Sequence, residues 1–321
     1  MSRYSTARIG GALAALVTVV AGCSGSPDPS DAATSSSAAG STTTTVSAPP
    51  PLAASTGAGQ GSTLETLTVG RQSSKYVLHV PAGGAEKMPA VIVLHGVNGN
   101  GQQIEQVSGM SMVADTGKFV AAYPDEYPVD GVTALIDELV ANRNVDPARV
   151  FVTGISRGGI FTEGLGCKLS GKLAAIAPLS GGLQVSLQDK CTPVKPLPVM
   201  LIHGTADPIV PYDGGMPRGL PHGQAATVMS APDTFAFWRG KDACTGDTTT
   251  TDVAGTDATV TLTAGPACDR GAEVRLYSVI GGGHTWPGGA TSQQQYVATL
   301  GPLNTQFDAS QQIWDFFATV K

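Results

Sequence analysis

Three side chains in this sequence have the chemistry for acyl transfer through a covalent intermediate: Ser156, Asp207 and His284. Ser156 lies in Gly154-Ile155-Ser156-Arg157-Gly158, a G-x-S-x-G pentapeptide, which alone means little in a chain with 41 glycines. Its context carries more weight. Arg149 to Thr153 is a short β-branched and aromatic run that reads as a buried strand, and the residues after Gly158 continue as a helix. A serine on such a strand-to-helix turn is held in a strained backbone conformation with Oγ projecting above the sheet, and the flanking glycines give the turn room. The N–H of Arg157 then falls at a helix N-terminus, where it can donate to a developing oxyanion.

The expected partners sit at two later strand ends. After Val199 to His203 comes Gly204-Thr-Ala-Asp207-Pro, a carboxylate on a tight turn. After Glu273 to Val279 comes Gly281-Gly-Gly-His284, read as a histidine on a flexible glycine loop. The chain order Ser156, Asp207, His284 is that of the α/β-hydrolases. In such a set the imidazole takes the serine proton and returns it to the leaving alcohol, while the aspartate fixes the tautomer and stabilises the imidazolium. Asp213 is the rival acid. His79, His95, His203 and His222 read as structural, with His203 backing the acid turn. A second oxyanion donor is expected from the glycine-rich loop after His95, at Val97. Asn98 either reaches the acyl group or caps that loop. No His, Asp or Glu pair has metal-ligand spacing such as H-E-x-x-H, so neither metal nor organic cofactor is expected.

The elements that position these residues alternate. Leu64 to Val69 and Lys75 to Val80 form an edge hairpin split by Gly70-Arg-Gln-Ser. Ala90 to His95 is a continuous apolar run, as expected of a strand covered on both faces. Strands follow at Lys118 to Tyr123, Arg149 to Thr153, Ala174 to Pro178, Val199 to His203 and Glu273 to Val279. Helical spacing marks Val132 to Val140 and the closing stretch Ser310 to Ala318. The fold class is therefore α/β: a doubly wound, mostly parallel sheet with an antiparallel N-terminal edge hairpin and ligands at the strands' C-terminal ends.

The 321 residues divide into three parts. Residues 1–22 read as a signal peptide, with Arg3 and Arg8 ahead of an apolar run too short for a comfortable membrane span. Val20-Ala-Gly-Cys23 resembles a lipobox, which implies Cys23 as a lipid-attachment site and anchoring at the outer face of the membrane. Residues 23–63, rich in Ser, Thr, Ala and Pro, cannot bury enough apolar surface to offset their ordering entropy and read as a tether. Residues 64–321 form the catalytic domain, expected to be a monomer. The net charge of −6 lacks the basic field that attracts nucleic acid. In an exported chain the other four cysteines are expected as disulfides. Cys244 and Cys268 flank a Thr-rich excursion, which leaves Cys167 for Cys191.

Several motifs together resemble the secreted poly(3-hydroxybutyrate) depolymerase and feruloyl esterase-like family of α/β-hydrolases. They are Leu94-His-Gly96, Tyr123-Pro-Asp125, Asp146-Pro-Ala-Arg-Val150, Gly154-Ile-Ser-Arg-Gly-Gly159, Ile202-His-Gly-Thr-Ala-Asp-Pro-Ile-Val-Pro-Tyr212 and Gly281-Gly-Gly-His-Thr-Trp-Pro-Gly288. The resemblance covers Leu64 to Lys321 and implies cofactor-free hydrolysis of carboxylic esters, with Trp286 a substrate-binding residue beside the histidine. Two departures stand out. Arg157 occupies a position that is often small in relatives, and Tyr123 to Gly131 is shorter than usual. The short segment is expected to leave one side of the cleft open, and an Arg157 side chain pointing into that opening would favour substrates carrying a carboxylate or a polar acyl group. The alternatives are a serine peptidase of the prolyl oligopeptidase type and a non-catalytic surface lipoprotein on the same scaffold.

Overall fold

Apolar runs that are buried at every position set the centre of the sheet. The computed structural model describes residues 61–83, 87–219 and 226–320, all within one compact unit, Thr45–Lys321. The expected signal peptide, Cys23, nearly all of the 23–63 tether and His222 lie outside the described residues. The strands are β1 (Ser62–Val69), β2 (Gln72–His79), β3 (Met88–Leu94), β4 (Val120–Pro124), β5 (Val145–Ile155), β6 (Ala175–Leu179), β7 (Val199–Gly204), β8 (Thr249–Asp252), β9 (Val260–Ala264) and β10 (Val274–Val279). The helices are α1 (Gly101–Ser108), α2 (Met110–Gly117), α3 (Val129–Asn142), α4 (Arg157–Leu169), α5 (Ala231–Lys241), α6 (Val297–Leu300) and α7 (Ala309–Thr319).

The strands form one sheet in the order β1-β2-β4-β3-β5-β6-β7-β10-β9-β8. Pairings from β4 through β10 are parallel, while β1–β2 and β2–β4 are antiparallel, as expected at the N-terminal edge. The Thr-rich excursion forms a second antiparallel edge, β8 on β9 and β9 on β10. Disulfides join Cys244 to Cys268, at the base of that excursion, and Cys167 of α4 to Cys191. Each closes a loop of 24 residues, and restricting the unfolded chain this way contributes about 3 kcal/mol for an unstrained bridge.

Alternation along each central strand divides the core. Ala90, Ile92 and Leu94 face the layer containing Leu135 and Leu139 of α3, Leu165 of α4 and Phe235 and Trp238 of α5. Val91 and Val93 face the layer built from Ile104, Met110, Val113, Ile313 and Phe317 of α1, α2 and α7. Phe317 stacks on Phe151 of β5 with ring centroids 4.5 Å apart. Strand β5, which delivers Ser156, is thus clamped from both faces, and each large buried side chain contributes about 2–3 kcal/mol of transfer free energy.

The helix behind Ser156 carries a charge-bearing group into this core. Glu163 is fully buried; Trp238 Nε1 donates to its Oε2 at 2.5 Å, and Oε1 has no partner. Burial, opposed only by the indole hydrogen bond, pushes this carboxyl up to about 8. The folded chain therefore holds a proton on Glu163 at neutral pH that the unfolded chain, titrating near 4.5, has released. Stability falls wherever the folded state binds more protons, so it is expected to decline from about pH 5 to pH 8, by about 1.4 kcal/mol per unit at most from this group. Glu163→Gln keeps an acceptor for Trp238 and cannot ionise. Urea midpoints should then fall less steeply with pH in the variant and cross those of the wild type in its favour near pH 8. Parallel midpoint curves for the two proteins would exclude the buried acid as the cause.

Candidate active site

Ser156 follows β5 and precedes α4, with φ 62° and ψ −124°. This is a conformation that a residue with a Cβ adopts only under constraint. The constraints are visible. The Ser156 N–H donates to the Leu179 carbonyl at 3.0 Å, and the Ser156 carbonyl accepts from Ile160 N–H at 2.8 Å. At Gly158 a Cβ would stand 2.4 Å from the Leu94 carbonyl oxygen, so α4 can press this close to β3 only with glycine there. The Ser156 hydroxyl makes no hydrogen bond among the described residues, and the residue lines a largely apolar-walled cleft at the C-terminal end of the central strands.

Asp207 follows β7 and His284 follows β10, two neighbouring parallel strands, so their loops emerge side by side. His284 Nδ1 lies 2.7 Å from Asp207 Oδ2. An ionised carboxylate only accepts, which assigns the proton to Nδ1 and leaves Nε2 with its lone pair. Asp207 Oδ1 accepts from Ile209 N–H at 2.8 Å and Val210 N–H at 2.9 Å, so its own turn fixes the carboxylate. Burial by itself would raise this carboxyl, but His284 and then His203 outweigh it and hold the group well below the usual carboxylate range. His203 Nε2 donates to the Val210 carbonyl at 2.9 Å and stands 3.5 Å from Asp207 Oδ2, so it braces the turn from behind. The glycine loop carrying His284 is packed tightly rather than flexible. His284 N–H donates to Leu300 O at 2.5 Å, and a Cβ on Gly283 would lie 2.1 Å from that same carbonyl oxygen.

The loop after β3 passes directly over the serine. A Cβ on Gly96 would stand 3.3 Å from Ser156 Cβ. Val97 and Asn98 line the same cleft, Asn98 with a left-handed φ of 59°. Among the described residues, neither the Val97 nor the Arg157 N–H donates to another group. The loop is anchored through His95, whose Nδ1 and Nε2 lie 2.6 Å from Gly96 O and 2.9 Å from Asp125 O. Tyr127 OH donates to the His95 carbonyl at 2.6 Å.

Three expectations need correction. The Arg157 side chain does not face the cleft. Its Nε donates to Tyr127 OH at 2.9 Å, and its guanidinium lies 4.8 Å from that ring's centroid. The short segment after β4 does not line the cleft: Tyr127 is buried against His95 and Phe161, and Glu126, Pro128 and Gly131 line a separate surface hollow. Burial pushes the Tyr127 hydroxyl up to about 12, so beside Arg157 it remains a neutral donor. Trp286 is not a substrate-binding wall either. It is fully buried, its Nε1 donates to Ser310 Oγ at 3.0 Å, and its N–H donates to Gln293 Oε1 at 2.8 Å. Asp213 is exposed and lines a different surface hollow. The cleft walls are instead Ile104 and Val107 of α1 with Ile155, Ile209, Tyr296 and Leu300, and Arg218 borders them. Ile155 and Ile209 lie inside the motifs that mark Ser156 and Asp207, whereas Ile104, Val107, Tyr296, Leu300 and Arg218 fall in none.

A phospholipase/carboxylesterase family model matches residues 128–217, the stretch from α3 through β7 that contains Ser156 and Asp207. NocK of Nocardia uniformis subsp. tsuyamanensis, a proposed esterase, is 31% identical over 97% of this chain and 98% of its own length. Feruloyl esterase B of Piromyces equi is 28% identical over 65% of this chain, which spans 42% of that enzyme's length. Among solved structures, acetyl xylan esterase from Aspergillus awamori superposes with a TM-score of 0.52 at 15% identity, over 73% of this chain and 97% of that one, and so shares the fold. The sheet and these similarities define an α/β-hydrolase. The chain belongs to its feruloyl esterase and poly(3-hydroxyalkanoate) depolymerase-like esterase family.

Proposed function

We propose that this protein hydrolyses carboxylic esters through an acyl-enzyme, with Ser156 as nucleophile, His284 as base and Asp207 as its orienting acid. The observation that carries this reading is the 2.7 Å contact of Asp207 with His284 Nδ1, made in a cleft that His284 shares with a strained, unbonded Ser156 hydroxyl. In the first step Ser156 Oγ bonds to the ester carbonyl carbon as its proton passes to His284 Nε2. The carbonyl oxygen gains charge opposite the Val97 and Arg157 N–H groups, each worth about 3 kcal/mol when aimed at the oxyanion. The ester C–O bond then breaks, and the alcohol leaves with the proton from Nε2. Water repeats the sequence on the acyl-enzyme, releasing the carboxylic acid and restoring Ser156.

Export, anchoring through Cys23 and a monomeric state belong to the same proposal. The two disulfides support an oxidising compartment. Turnover and labelling test the chemistry together. Nitrophenyl esters with short acyl groups should be hydrolysed, the matched nitroanilides should not, and an alkyl fluorophosphonate should add to one residue, Ser156, by peptide mass. Faster nitroanilide cleavage would favour the peptidase alternative. Absence of both turnover and labelling would leave a non-catalytic scaffold.

A further inference from the structure

One loop supplies both His284 and a wall of the cleft. It runs from His284 to Leu300, and the His284 N–H bond to Leu300 O closes it at its ends. Gln293, Tyr296 and Leu300 of this loop line the cleft together with His284. No strand runs through the loop, so its course depends on isolated contacts rather than on a ladder. Gln293 makes a group of them. It is 2% exposed, and its amide is spent on backbone. Oε1 accepts from Trp286 N–H at 2.8 Å, while Nε2 donates to Trp286 O at 3.2 Å and to Ala290 O at 3.1 Å. Glutamate and methionine have the same reach but lack the two donors.

The turn pinned in this way, Trp286 to Ala290, lies between two working parts of the site. On one side Trp286 is two residues from His284, and its indole is fixed separately through Nε1 to Ser310 Oγ at 3.0 Å. On the other side Ala290 N–H donates at 3.0 Å to the carbonyl of Val107, a cleft wall on α1. Trp286 is fully buried, so no water can stand in for the glutamine at its N–H. A base that must meet Ser156 at hydrogen-bond distance tolerates little drift in the backbone that carries it. We propose that Gln293 is a positioning residue: it clips the Trp286 to Ala290 turn, and through that turn it sets the point from which His284 reaches Ser156. This rests on the hydrolytic reading of Ser156 and His284.

Gln293→Met keeps the length of the side chain and loses all three bonds. Its kcat for nitrophenyl acetate should fall by about 10- to 100-fold, the scale of a displaced reacting group, with KM within about threefold of wild type. Counting sites with an alkyl fluorophosphonate separates position from stability. A misplaced base leaves the folded sites titratable but slow, whereas a merely weakened fold gives fewer sites, each at the wild-type rate. Gln293→Glu supplies a second reading. Ionised, its carboxylate keeps the Trp286 N–H bond but meets two carbonyl oxygens to which it cannot donate; protonated, it regains one donor. Its kcat relative to wild type should therefore rise as the pH falls from about 8 to about 5. His95, Arg218, His284 and Tyr296 of the cleft are common to both proteins, so the ratio removes their titration. A wild-type kcat per titrated site in Gln293→Met overturns the proposal, as does a ratio for Gln293→Glu that stays flat with pH. The proton on His284 Nδ1, bonded to Asp207, reports the geometry without turnover. Its low-field resonance should shift or broaden in Gln293→Met. That change in a protein whose wild type neither turns over esters nor labels would sink ester hydrolysis and keep the clip. An unchanged resonance with undiminished turnover would do the reverse.

Discussion

Ser156→Ala is expected to reduce ester hydrolysis by about 10⁴- to 10⁶-fold while leaving the fold intact. The size follows from cooperation: the base and the acid have no function in acyl transfer once the nucleophile is gone, so a single deletion costs nearly what removing the whole set costs. The fold survives because the hydroxyl makes no hydrogen bond among the described residues, and the bonds that hold the turn use the Ser156 backbone N–H and carbonyl. Alanine inherits the strain at φ 62°, so little stability changes. Ser156→Gly should be equally inactive but more stable by about 1 kcal/mol, since glycine adopts positive φ at low cost and the native turn over-determines the conformation. A pair of measurements decides the matter, kcat/KM on a nitrophenyl ester and the thermal midpoint for both variants. A Ser156→Ala protein retaining a tenth of the activity would refute the nucleophile. A Ser156→Gly protein less stable than Ser156→Ala would refute the strain argument.

The parts of this site that are readable from sequence are those where one local rule fixes one residue. Ser156 can be found because the strand, the sharp turn and the helix must be consecutive in the chain, and glycines mark the tight contacts. Asp207 and His284 are readable because each follows a buried run, and parallel strands deliver such ends to one side. The equal loop lengths of the two cysteine pairs, and the Thr-rich stretch between Cys244 and Cys268, also belong to local sequence. What lies hidden depends on contacts between distant segments. Tyr127 and Arg157 are 30 residues apart, and nothing in either neighbourhood says that one stacks on the other. Glu163 reads as an ordinary helix charge, and only Trp238, 75 residues later, shows that it is buried. Helices α1 and α2 escape the sequence reading for a local reason. Their Gln, Ser and Gly content gives weak helical spacing, and the left-handed Gly109 between them interrupts it. Asn100, which accepts from Gln103 N–H, is their one readable start signal. Since Ile104 and Val107 of α1 form a wall of the cleft, the weak signal of these helices also hides that wall from a sequence reading.

Asp207→Asn should lower kcat by about 10⁴ with little change in KM, and Asp213→Asn should be close to wild type. The reason is a tautomer rather than a lost contact. Asp207 Oδ2 accepts the Nδ1 proton of His284 at 2.7 Å, and an asparagine that keeps its oxygen on the Ile209 and Val210 N–H groups must turn its NH₂ toward the ring. Imidazole then accepts at Nδ1 and carries its proton on Nε2, where the serine needs a lone pair, and such a swap costs about 10⁴ in related chemistry. The turn itself should hold, because its two N–H bonds to Oδ1 survive the substitution. Stability should nonetheless change with pH in a defined direction. His284 and His203 hold the Asp207 carboxyl below its unfolded value, so in the wild type this group contributes stability above about pH 4 that is lost as the pH falls through the folded value. The asparagine of the variant does not titrate, so the variant should lose less stability than wild type between pH 4 and pH 2. Rates at pH 7.5 and denaturation midpoints across that acid range read the two effects separately. A mild Asp207→Asn alongside a crippled Asp213→Asn would move the acid to the other turn. An acid limb equally steep in both proteins would show that Asp207 is not held down by its histidines.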